Sequence, residues 1–152
     1  MLSGRRLDLL NPALKPQVQA GGRMLASDYI RRWKLAADTA RTFKARWDHV
    51  DVIALPTQSN TPPTIAELAS GGDRRGDANE MRNTDWVSLL RLCAISMPAA
   101  LDDAGIPVGL QLVAPAMAEE RLIAMATACE RVLGTARQRI GRPPLCSDDL
   151  AT

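Results

Sequence analysis

Between Ser27 and Trp47 the apolar positions Trp33, Ala36, Ala37, Ala40, Phe43 and Trp47 return every three or four residues. Arg31, Lys34, Asp38, Arg41 and Lys44 fall largely on the opposite side. That period lines one face of an α-helix, so Ser27 reads as the cap of a long amphipathic helix whose aromatic stripe packs on a core. A shorter helix precedes it. Asn11-Pro12 supplies its cap and first-turn proline, and Gly21-Gly22 ends it, with Pro16 near the first turn. The spacing then changes. Val52-Ile53-Ala54-Leu55 is an unbroken apolar run closed by Pro56, which predicts a strand buried on both faces beneath helical layers.

Residues 57–81 are the least regular part of the chain and read as a long loop. Within it Thr64 and Glu67 have capping-box spacing ahead of one helical turn, Ile65 to Leu68, and a Gly- and Asp/Arg-rich stretch follows. Asn83 or Thr84 caps a short helix in "NTDWVSLLRL". Two apolar runs, "CAISMPAAL" and "IPVGLQLVA", are joined by Asp102-Asp103-Ala104-Gly105 and predict a β-hairpin. In the second run Val108, Leu110 and Leu112 share one face and pack a helical layer, while Gly109, Gln111 and Val113 share the other. Gly109 admits a close neighbour, and Gln111 is expected to hydrogen-bond locally. Pro115 closes the strand. Leu122, Met125, Cys129 and Val132 then mark a helix with Glu119-Glu120 in its first turn and Gly134 at its end, and 135–152 reads as a loosely attached tail. The class is α/β: a partial mixed β-sheet covered by helices, in one partial domain over 1–152.

Composition narrows the function. The chain has 152 residues, 46% hydrophobic and 24% charged, which is ordinary for a globular protein. Its net charge of +2, with no basic stripe interleaved with aromatics, argues against nucleic acid as a partner. No stretch approaches the roughly 18 apolar residues that span a bilayer, and the N-terminus lacks a signal-peptide pattern, so a cytoplasmic protein without a membrane partner is expected. Cys93, Cys129 and Cys146 are odd in number and lack Cys-x-x-Cys spacing, which points to reduced, buried thiols. No metal site and no cofactor are expected. The single His49, between a Trp and a strand, reads as a packing residue. With Asp48 or Asp51 and Ser59 or Ser96 it supplies the residue types of a Ser–His–Asp set, but no Gly-x-Ser-x-Gly elbow accompanies them. Asp102-Asp103 and Asp148-Asp149 read as turn and tail residues.

"DVIALPTQSNTPPTI", "RNT", "LCAISMPAALDDAGIPVGLQLVAP" and a helix opened by acids follow one another in an order that resembles the C-terminal part of the amidase signature family. "GIPVGLQ" is similar to that family's recurrent Gly-Leu-Pro-Val-Gly-Leu-Gln strand, and "NPALKPQVQAGGRMLASDYI" resembles the helix pair ahead of it. The likeness runs over about residues 8–145. It implies the amidase signature α/β/α fold and amide hydrolysis or transfer by a Ser nucleophile, a second Ser in a cis peptide bond and a Lys.

Those catalytic groups belong to a Gly/Ser-rich region with no counterpart in these 152 residues. The only lysines are Lys15, Lys34 and Lys44, on helices whose family counterparts do not supply the catalytic Lys. No catalytic residue is therefore assigned, and the chain alone is expected to be inactive. The resemblance places Pro56, Thr57, Asn83 and Thr84 on the substrate side. The threonines equally suit plain turn and cap hydrogen bonds. Ser88 stands where many relatives have Asn, and Arg91 where they commonly have Gly. The expected role is a C-terminal amidase segment, with a non-catalytic remnant or binding and scaffold module as the alternative. Its partners would be a complementary N-terminal amidase segment, or further copies meeting through exposed sheet surface. A small-molecule amide would bind only in the intact enzyme.

Overall fold

A computed structural model of the chain describes residues 9, 10, 12, 14–69 and 81–141. It divides into two compact units, Met1–Thr39 and Ala40–Thr152.

The first unit is helical. α1 (Lys15–Gly22) opens at Leu14, whose carbonyl accepts from Val18 N, with Pro16 in its first turn. The helix thus starts later than the Asn11-Pro12 signal suggests, because Pro16 fills the position where a missing N–H costs nothing; Asn11 itself lies outside the described residues. α2 (Ala26–Lys44) starts one residue before Ser27, which sits in its first turn rather than at its cap. Asp28 there complements the helix dipole and pairs with Arg31 at 2.9 Å. Of the expected core stripe only Ala36 is buried in α2. Trp33 remains 43% exposed and meets Tyr29 edge-on instead of entering a core.

The second unit holds the sheet, in the order β1-β3-β2: β1 (Ile53–Pro56), β2 (Cys93–Leu101) and β3 (Pro107–Ala114). Both pairings are antiparallel, so among the described strands the sheet is antiparallel where the sequence suggests a mixed one. β2 and β3 form the expected hairpin. Asp102 builds its turn by accepting from Ala104 N and Ile106 N at 2.9 and 2.8 Å. β1 is not the doubly buried strand that its apolar run predicts. Among the described residues it pairs only with β3, and it alternates half-buried Ile53 and Leu55 with exposed Ala54 and Pro56. Central β3 takes that role, with Gln111 through Ala114 buried.

On one face of β3, Leu112 and Ala114 pack with Leu122 and Ala126 of α5 (Glu119–Leu133), and Cys93, Ile95, Met97 and Leu110 surround them. Each buried Leu side chain contributes about 1.5–3 kcal/mol. α5 covers the end of β3 remote from the hairpin turn, so Val108, expected in this layer, is 40% exposed. Val132, on the outer side of α5, is 87% exposed. The other face meets the segment leading into β2. There a 3₁₀ turn, Met81–Asn83, precedes α4 (Asp85–Leu89), which buries its own Val87 and is followed by buried Leu90. Phe43 and Trp47 of the aromatic stripe are half-buried, and Phe43 lies 5.8 Å from Trp47 and 5.7 Å from Trp86.

Thr64 and Glu67 form the anticipated capping box on α3 (Ile65–Ala69); the Gly-rich stretch after it lies outside the described residues. Within 135–152, α6 (Ala136–Ile140) carries a second capping box, Thr135 with Gln138. Its Arg139 donates to Leu133 O and to Ala99 O at the β2 bulge. Residues 142–152, with Cys146 and Asp148-Asp149, lie outside the described residues. Cys93 and Cys129 are free, half-buried thiols. Among the described residues no helix is long and apolar enough to cross a membrane.

Candidate functional site

The antiparallel register brings the end of β1, the middle of β2 and a glycine of β3 to one spot. Thr57 N donates to Gly109 O at 2.8 Å, which places Thr57 beside Gly109 one step past the β1 ladder. Ser96 of β2 reaches the same place from the other side, and its Oγ lies 2.5 Å from Thr57 Oγ1. The two hydroxyls meet over Gly109. A Cβ there would fall 2.7 Å from Thr57 Oγ1 and 2.9 Å from Ser96 Oγ, so only glycine leaves room for the pair.

A second set of bonds anchors this spot to the segment after the long loop. Asn83 Nδ2 donates to Pro56 O at 2.8 Å, and Gln111 Nε2 donates to Asn83 O at 2.9 Å. Gln111 is 4% exposed, and with its amide bonded the cost of burying it is offset. Three of the expected residues, Pro56, Thr57 and Asn83, therefore converge. Thr84 does not join them: its hydroxyl donates to Met81 O at 3.2 Å, a local turn bond.

Ser96 is a site residue that the sequence offers only as a possible member of a Ser–His–Asp set. It is exposed on β2. The register that sets it opposite Gln111 would have revealed it, since β3's Gly109 and Gln111 share a face. His49 is exposed behind the 3₁₀ turn Ala45–Asp48, so it is not the packing residue expected. Ser96 shares its hydroxyl with Thr57 instead of with a histidine.

Among the described residues, the hydrogen bonds at this site run between hydroxyls, amides and backbone carbonyls, with no ionisable side chain among them. Such a set can orient a polar ligand; it holds no group that exchanges a proton near neutral pH. Two hollows flank it. One of about 280 Å³ is lined by Gln58, Thr61, Asp102 and Val108, with Thr61 Oγ1 3.3 Å from Asp102 Oδ2. A wider one of about 640 Å³ is lined by Arg82, Asp85, Trp86, Ser88 and Leu89. Beyond it Arg91 adopts φ 58°, the left-handed region. That geometry accounts for the glycine of the resembled pattern, and an Arg there costs about 1–2 kcal/mol more.

The model of the Amidase family matches residues 1–123. The chain belongs to the amidase family. It is 34% identical over 146 residues to the 2-amino-5-chloromuconic acid deaminase of Comamonas testosteroni, covering 92% of this chain and 30% of that protein. It is 32% identical over 144 residues to a glutamyl-tRNA(Gln) amidotransferase subunit of Rhodococcus erythropolis, covering 88% of this chain and 28% of that one. In structure it resembles 6-aminohexanoate cyclic dimer hydrolase complexed with substrate, with a TM-score of 0.69 at 23% identity over 82% of this chain and 29% of the other. Kluyveromyces lactis allophanate hydrolase gives a TM-score of 0.73 at 18% identity over 88% and 22%. These likenesses establish the amidase signature fold. The chain spans less than a third of the length of each of these proteins.

Proposed function

We propose that residues 1–152 are a C-terminal amidase segment that supplies scaffold and pocket wall to amide hydrolysis or transfer, and that they are inactive alone. The observation that carries this reading is the chemistry of the converged site. Among the described residues, hydroxyls, amides and carbonyls meet there without an ionisable partner, a set that can orient an amide but does not itself activate a nucleophile. In this reading Pro56 and Thr57 border the substrate and Asn83 holds the Pro56 carbonyl, while Thr84 steadies the turn. The Ser, second Ser and Lys come from the complementary N-terminal amidase segment, on the same polypeptide or a separate one. Free thiols at Cys93 and Cys129 favour the cytoplasm as the compartment.

The test is amide hydrolysis and hydroxamate formation by the purified 152-residue chain. Rates at background are expected, and turnover well above background would overturn the reading.

A non-catalytic remnant is the second reading, and Arg91 favours it: a bulky residue at φ 58° fits a chain released from the demands of an intact pocket. The DNA immediately upstream separates the two. A coding stretch with a Gly-Ser-Ser signature and a catalytic Lys supports the amidase segment, and its absence from the neighbourhood supports the remnant.

A further inference from the structure

The turn of the β2–β3 hairpin leaves one strong acceptor over. A carboxylate has about four acceptor sites, half of them on each oxygen. Asp102 Oδ1 uses its own share, accepting from Ala104 N at 2.9 Å and Ile106 N at 2.8 Å. Oδ2 accepts only from the Thr61 hydroxyl, at a long 3.3 Å. Its remaining site has no partner among the described residues, and no cation pairs with Asp102 there. Asp102 is half-buried, and it and Thr61 both line the hollow of about 280 Å³ beside the converged hydroxyls. The rest of that lining has two characters. Ile106 and Val108 are apolar and exposed, because α5 stops short of this end of β3. Gln58 and Asn60 bring amide side chains that have no hydrogen-bond partner among the described residues.

The charge here has one sign. Residues 57–66 and 101–110 contain Asp102 and Asp103 and no Lys, Arg or His. A ligand that satisfies Oδ2 must bring an N–H or O–H donor, and a positive charge makes that bond shorter and stronger. A divalent metal ion is a poor occupant. It takes about six or more oxygen ligands, and among the described residues no three His, Cys, Asp or Glu side chains gather to hold one. A small hydrated cation leaves the apolar wall of Ile106 and Val108 unused, whereas an alkyl chain covers that wall and gains by removing it from water. We propose that the hollow between the 57–62 segment and the hairpin turn is a binding site for a small primary alkylammonium ion. Its N–H donors meet Asp102 Oδ2, Thr61 Oγ1 and an amide oxygen of Gln58 or Asn60, and its chain lies on Ile106 and Val108. The volume falls at the small end of ligand hollows and suits a chain of a few carbons. Because Gln58 follows Thr57 and Val108 precedes Gly109, the bound amine sits next to the hydroxyl pair. The site is complete within this chain and does not depend on the amidase-segment reading.

Titration of the isotope-labelled 152-residue chain with butylammonium chloride, followed by backbone amide shifts in NMR, tests this. Saturable shifts are expected at Thr61, Ile106 and Val108, and butanol or sodium butyrate at equal concentration should leave those amides unmoved. Asp102→Asn keeps an oxygen for Ala104 N and Ile106 N but puts an amide nitrogen where Oδ2 stood. It should weaken binding at least ~10-fold. Asp103→Asn removes a charge of the same turn that does not line the hollow, and affinity should hold within ~2-fold. The absence of saturable shifts overturns the site, as do equal shifts with butanol or undiminished binding by the Asp102→Asn chain. An equal loss in both variants overturns it too, since it would mark a diffuse attraction to the acidic turn. If Asp102→Asn loosens the turn, seen as lost protection of the Ala104 and Ile106 amides, the comparison of butylammonium with butanol on the unaltered chain decides.

Discussion

At Gly109 a single hydrogen atom decides whether two hydroxyls can meet. Thr57 Oγ1 and Ser96 Oγ occupy the space a Cβ would need, at 2.7 and 2.9 Å. Turning both hydroxyls away breaks their mutual bond and still leaves Thr57 Cβ at 3.1 Å, so Gly109→Ala costs that bond or shifts the end of β1. We expect it to destabilise the chain by about 1–3 kcal/mol, read from denaturant unfolding. Thr57→Ala in the same chain should recover part of that loss by removing the nearer oxygen. Gln111 is the complementary case, a residue that must be polar. Gln111→Leu keeps the bulk but strips Asn83 O of its donor at a site 4% exposed, and a loss of about 1–3 kcal/mol is expected in the same measurement. Both residues were legible as special from sequence: a glycine and an amide between aliphatics on one strand are anomalies that physics must explain. Their partners were not legible, because Thr57, Ser96 and Asn83 reach them through pairings of distant segments.

The capping box in the long loop formed where the residues indicate. The Thr64–Glu67 box satisfies donors at the start of α3: Glu67 Oε2 accepts from Thr64 N at 2.7 Å and from Thr64 Oγ1 at 2.8 Å. The backbone N–H of Thr64 first, and its hydroxyl second, hold the Glu67 carboxyl below the usual glutamate range. A carboxylate whose pKa is lowered by folding stabilises the fold above its unfolded pKa and loses that contribution as pH falls through the lowered value. The Glu67 side-chain resonances, followed by NMR, should therefore titrate below those of a Glu in an unstructured peptide. The α3 amides should lose protection only across that lower range, and titration at the ordinary glutamate position would refute the box in solution. Where signals competed, the outcome depended on geometry. Pro12 and Pro16 both suit a first turn, and Pro16 took it. The apolar run of β1 reads as doubly buried, yet burial went to β3, since position in a sheet is not written in a strand's own composition.

Across the whole molecule, large apolar side chains remain open to solvent. Tyr29, Ile30 and Leu35 of α2 are 55, 65 and 67% exposed, and the outward edge of β2 is uncharged. Exposed apolar side chains in such number mark interaction sites or association-prone chains. Static light scattering on the purified chain is expected to show self-association that grows with concentration. Co-expression with the catalytic region of an amidase should reduce it. A compact monomer at all concentrations would contradict the view that this segment is built to be covered.

The residues by themselves determined the Thr64–Glu67 capping box, the hairpin and the family, because each of these rests on contacts a few positions apart or on a recognisable order of short motifs. Only the tertiary structure decided which strand is central, that Ser96 rather than Thr84 joins Thr57, and that Arg91 occupies a left-handed turn. Those outcomes depend on register. Register is set by which faces find cover, and that is a property of segments far apart in the chain that no single segment encodes.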